Sequence, residues 1–121
     1  MFRGLLVNNL RYELYRGREV SGNLTGLRLC GYAFQNEGEN YYRMKLFILN
    51  DQTYFMSKNM GSGFTIFSKS VTTEDGKVIF QNPVGFAKVM DHVRTHLYVR
   101  FSDLGSHMFM SLYPSERASV A

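Results

Sequence analysis

Cysteine is almost absent from this chain of 121 residues: Cys30 stands alone. One cysteine excludes an intramolecular disulfide and a zinc site built on cysteines. It also favours a reducing compartment, so a cytoplasmic location is expected. Cys30 sits between Leu29 and Gly31 in an apolar strand pattern. It therefore reads as a buried, inert thiol and not a nucleophile. Proline is scarce too, with two residues against eleven glycines, and tryptophan is missing. Few prolines and many glycines suit a β-rich chain with frequent turns. Long hydrophobic runs are lacking: Leu5-Leu6-Val7 is broken at once by Asn8-Asn9. Such a run is too short for a signal peptide core or a membrane span, and no membrane role is expected.

Catalytic and metal motifs are also missing. The three histidines, His92, His96 and His107, have no H-E-x-x-H spacing around them, and no serine sits in a nucleophile elbow. Gly61-Ser62-Gly63 lacks the Lys-Ser/Thr that completes a phosphate loop. The acids Glu37, Glu39, Glu74 and Asp75 fall at loop tips, where they solubilise. The expectation is a protein that is not an enzyme, with no catalytic residues, no metal and no cofactor.

What is present is a soluble composition, 45% hydrophobic and 20% charged, with 15% aromatics and a formal net charge of +4. The size suits one domain over 1–121, and a tail at about 115–121 is small, polar and expected to fray. The charge favours polyanionic or acidic partners.

Alternation supplies the main structural signal. In Tyr41–Ile48 the even positions Tyr42, Met44, Leu46 and Ile48 are apolar, while Tyr41, Arg43, Lys45 and Phe47 mix cations with rings. The same split recurs where Leu97, Val99 and Phe101 alternate with His96, Tyr98 and Arg100. A strand sends alternate side chains to opposite faces, so one face reads as core. Leu46, Ile48, Leu97, Val99, Met110 and Leu112 are expected inside, with Met44, Met56, Met90 and Met108 filling gaps.

Turn signals at Arg16-Gly17, Asn36–Asn40, Asn50-Asp51, Gly61–Gly63, Asp75-Gly76 and Asp103–Gly105 divide the chain into strands. They predict an N-terminal hairpin at about 5–20 and strands at about 24–34, 41–49, 52–58, 64–71, 77–81, 96–102 and 107–113. One helix is predicted at about 83–94. Asn82 would cap it, Pro83 would open it, and Phe86, Val89, Met90 and Val93 would form its apolar stripe. The fold class expected is mainly β: a small barrel with the element order of an oligonucleotide-binding (OB) barrel, another small barrel or a sandwich, with the hairpin as an extra.

The ring-and-cation positions suggest a function. Arg28, Tyr32, Phe34, Tyr41, Arg43, Lys45, Phe47, Tyr98 and Arg100 could share one outer surface, with support from Arg11, Arg16 and Arg18. Rings stack bases and cations follow phosphates, so single-stranded DNA or RNA is the expected partner. The same surface, or an edge strand, would also serve a small protein-interaction module docking on a larger complex.

Overall fold

The computed structural model describes residues 9–36, 38–105 and 107–114. Eight antiparallel strands follow in order: β1 (Asn9–Val20), β2 (Asn23–Asn36), β3 (Tyr41–Leu46), β4 (Leu49–Lys58), β5 (Gly63–Thr72), β6 (Val78–Val89), β7 (His96–Phe101) and β8 (Met108–Ser111). Each pairs with the next, and β8 returns to β1 to close the barrel. Neighbour order follows sequence order, a meander of eight strands. An OB barrel instead arranges five in a Greek key.

Inward positions form a packed core. Leu14, Ala33, Met44, Met56, Ile66 and Val99 are fully buried, and Leu46, Leu97, Phe101, Met108 and Met110 nearly so. A barrel of eight strands is just wide enough for side chains to fill. The expected inward placement holds for Leu46, Leu97, Val99 and Met110 and for the gap-filling Met44, Met56 and Met108; Met90 is buried elsewhere, with Val93 and Phe109. It fails for Ile48, which is 74% exposed, and for Leu112. Ile48 lies in the two-residue turn Phe47-Ile48, since the chain turns before Asn50-Asp51 and not at it. Leu112 lies just past the end of β8.

There is no helix at 83–94. Residues 83–89 belong to β6, and 90–95 form an irregular connection. Asn82 has a left-handed backbone, φ 66°, and lies beside the register shift between Ile66 and Phe67. It marks a bend in a strand, not a cap. Pro83 sits opposite Phe67, where β6 has β5 as its only neighbour, since pairing with β7 begins at Gly85. Proline is tolerated at such an edge. Phe86 and Val89 are exposed, so the stripe expected there is not a buried face; Met90 and Val93 are buried in a separate cluster.

The N-terminal hairpin is not an extra element either. Arg16-Gly17 is a bulge inside β1, and the turn falls at Ser21-Gly22, both with positive φ, as a two-residue hairpin loop prefers. The start of that predicted hairpin, 5–8, and the tail at 115–121 lie outside the described residues.

Two hairpins outgrow the barrel. Beyond Gly31, β1 and β2 pair only with each other for most of their length and form a first arm, about 17–29. Beyond Gly85, β5 and β6 do the same and form a second arm, about 68–83. At both departure points a side chain is impossible without movement. A Cβ on Gly31 would run into the Lys45 carbonyl oxygen, and one on Gly85 into that of Arg100. Both arms fold back on the outside. Leu24 of the first packs on Phe109, Met90 and Val93. Phe80 of the second stacks on Phe55 and Phe67, with centroids 5.6 and 5.7 Å away, and meets Tyr41 edge-on at 4.9 Å.

Candidate functional site

The barrel's outer face is where the ring-and-cation residues lie, and closure distributes them around its girth. Register places Glu13, Tyr32 and Lys45 in one row across β1, β2 and β3. The next row runs Arg11, Phe34, Arg43, Phe55 and Phe67 from β1 to β5. Within this strip the Arg11 guanidinium lies 4.4 Å from the centre of the Tyr32 ring, a cation–π distance. Tyr32 touches Phe34 (6.1 Å) and Phe47 (5.6 Å). Phe47 is 51% exposed; Tyr32, Phe34 and Lys45 are half-buried.

Arg43 is less available than the sequence suggests. Its Nη2 donates to Glu39 Oε2 at 2.8 Å and to the Tyr41 hydroxyl at 3.1 Å. Burial would raise the Glu39 pKa, but the hydrogen bonds from Arg43 and Tyr41 and the Arg43 charge outweigh it and hold the carboxyl below its ordinary value. The Arg43 Nε and Glu39 Oε1 have no hydrogen-bond partner among the described residues. Tyr41 itself is buried under Phe80, so it belongs to the clamp of the second arm and is removed from any open surface.

Tyr98 and Arg100 do not join this strip. β7 lies three neighbours from β2 around the barrel, with β8 and β1 between. There the Tyr98 hydroxyl meets His107 Nδ1 at 2.9 Å and accepts from Arg100 Nη1 at 3.3 Å, and Lys88 Nζ stands 5.8 Å from the ring centre. Tyr98 also touches Phe109, beneath Leu24 of the first arm. The single surface expected from parity is thus two surfaces on different sides, with an arm partly over one.

Arg28, Arg16 and Arg18 are exposed on the first arm, and Arg16 and Arg28 are direct partners across it. With His107 they line a groove of ≈ 590 Å³. Arg16 and Arg28 also help line a largely apolar cleft of ≈ 340 Å³ with Leu29, Leu46, Leu104 and Met108. Cys30 lines that cleft, and burial pushes its thiol up to about 11 against the lowering effect of Arg16. A thiol so raised is almost wholly protonated at neutral pH and a poor nucleophile.

The histidines are scattered. His96 contacts the Tyr15 ring, its pKa lowered by burial; His92 faces the tip of the first arm at Gly22. Among the described residues no three His, Cys, Asp or Glu side chains gather in a way that could hold a metal.

Sequence reasoning missed Phe55, Phe67 and Phe80, a cluster in which Phe80 stacks on both of the others. Alternation in 52–58 put Phe55 on the outer parity, so that position was findable. The reach of Phe80 was not, because it depends on how the second arm folds back. Comparison with known proteins finds no matching family model, no matching curated protein and no matching solved structure. The functional reading therefore rests on the site alone.

Proposed function

We propose that this protein binds single-stranded nucleic acid without catalysis, on the outer strip of β1, β2 and β3. The observation that carries the reading is the cluster of Tyr32, Phe34 and Phe47, with Arg11 over Tyr32 and with Lys45 and Arg43 as register partners of Tyr32 and Phe34. Rings there offer faces and edges to bases while the cations follow the backbone. Arg16, Arg18 and Arg28 extend the positive field onto the first arm. An apolar interior with charges outside, and a lone thiol, support a barrel that works in the cytoplasm. Fluorescence anisotropy decides the matter. An unstructured oligonucleotide should bind more tightly than duplex of the same length and weaken as salt rises. Absence of binding at low salt ends this reading.

A second reading has one observation in its favour. In the second arm, Lys69–Thr72 and Val78–Gln81 pair only with each other, and Val71, Val78 and Ile79 are exposed. Such an arm offers strand edges and apolar side chains to a partner protein. A partner captured by wild type and lost with Ile79→Lys would favour it.

A further inference from the structure

The second arm has one edge that pairs with no strand. The Thr73 N–H donates to the Lys77 carbonyl at 2.8 Å, so those two residues are a hydrogen-bonded pair across the arm. Antiparallel pairs alternate in kind. Val71–Ile79 and Lys69–Gln81 therefore bond across the arm as well, and Val78 and Phe80 turn their N–H and C=O groups outward from β6. Among the described residues no strand pairs with that outer edge before Gly85. The opposite edge, on β5, is partly taken: Gln52 of β4 donates to the Ser68 carbonyl at 2.9 Å. It also carries Lys69, and an edge lysine discourages pairing. The β6 edge has no such protection. From Val78 to Gln81 it bears no charge, and it ends at the bend of Asn82 and at Pro83, which has no N–H to offer. Phe80 turns towards the barrel and stacks on Phe55, so Ile79 lies on the opposite face, exposed beside its register partner Val71.

We propose that this edge pairs with the same edge of a second copy of the chain, antiparallel about a twofold axis through Ile79. The register is self-complementary. Val78 of each copy exchanges two backbone hydrogen bonds with Phe80 of the other. Ile79 stands directly opposite Ile79 of the second copy, in the kind of pair whose side chains lie closest. Lys77 faces Gln81, so no like charges meet. The two arms join into one sheet whose outer face carries an unbroken apolar row, Val71 and Ile79 of one copy followed by Ile79 and Val71 of the other. A twofold contact consumes the β6 edge, so assembly stops at the dimer. The dimer rests on the second reading's arm, for which it names the partner, and is independent of nucleic-acid binding on the strip.

An interface of a few strand residues is small, so a dissociation constant of about 100 µM is expected, read by sedimentation equilibrium of the full chain over about 10 µM to 1 mM. Ile79→Lys and Ile79→Glu each set like charges opposite one another at the axis and should weaken the dimer about tenfold. Ile79 is exposed, so neither variant should disturb folding. An equal mixture of the two variants should dimerise again, because opposite charges then meet. In amide hydrogen exchange, Val78 and Phe80 should slow as concentration rises, while Ile79, already bonded within the arm, should barely change. A chain that stays monomeric over the whole range overturns the proposal. If that monomer still captures another protein and loses it with Ile79→Lys, the arm docks a different partner and the second reading survives alone. A dimer indifferent to Ile79→Lys, a variant mixture that stays monomeric, or species that grow beyond the dimer overturn the proposal equally.

Discussion

Glu39 and Arg43 show how a single pair changes what a side chain can do. Glu39 has its folded pKa below its ordinary value of about 4.5. A carboxyl depressed in this way contributes stability above its unfolded pKa and loses it as pH falls through the folded pKa. Glu39→Gln should therefore lower stability at pH 7, by up to about 1 kcal/mol because the pair is partly solvated. The deficit should shrink in acid, at a pH below the folded pKa, where wild-type Glu39 also loses its charge. Urea melts at the two pH values check this; a deficit independent of pH would show that the charge is not what matters. Alternation made the inward side of Leu97 readable, whereas Ile48 looked identical and is in a turn. Leu97→Ala should cost about 2–5 kcal/mol through the cavity left in the core. Ile48→Ala, at an exposed site, should stay within about 0.5 kcal/mol. Equal losses for the two would contradict the register of β3 and β7.

Strands were legible where the inward residues are large and the outward ones polar, as in β3 and β7. In β6 the sizes are reversed: Gly85 and Ala87 point inward while Phe86 points out. Hydrophobicity then hides the alternation, and Phe86, Val89, Met90 and Val93 mimic a helical stripe by coincidence of a strand with the loop that follows. Gly85 in the middle of a supposed helix, with β-branched Val84 and Val89 around it, was the available signal against it. The small residues are there because the barrel bends sharply where the arm departs. Gly85→Ala should cost about 1–3 kcal/mol, since its Cβ meets backbone that cannot swing aside. Gly61→Ala, in an open loop, is the control and should be nearly silent. A thermal melt in which both variants match wild type would mean that the arm leaves the barrel by a gentler path.

Closure is the property of the whole molecule that no local pattern announces. The number of strands could be approached by counting turns, but nothing in Tyr15 or Phe109 states that β1 and β8 meet. Pairing them closes the barrel, leaving strand edges only on the arms, and splits the ring-and-cation residues between two sides. This partition makes a sharper test than parity alone could. Lys45→Ala and Arg11→Ala should weaken single-strand binding for all sequences and each reduce the log–log salt slope by about 0.7. Arg43→Ala should weaken it at least as much, because it removes a cation and leaves the Glu39 carboxylate without its salt-bridge partner. Phe47→Ala should lower affinity by about 1–3 kcal/mol with the slope nearly unchanged, since stacking releases few ions. Tyr98→Ala and Arg100→Ala, three strands away across the arm-covered side, should do little beyond the loss of general positive charge. Anisotropy titrations at two salt concentrations separate these effects. If Tyr98→Ala abolished binding while Phe47→Ala left it intact, the strip would be the wrong side of the barrel.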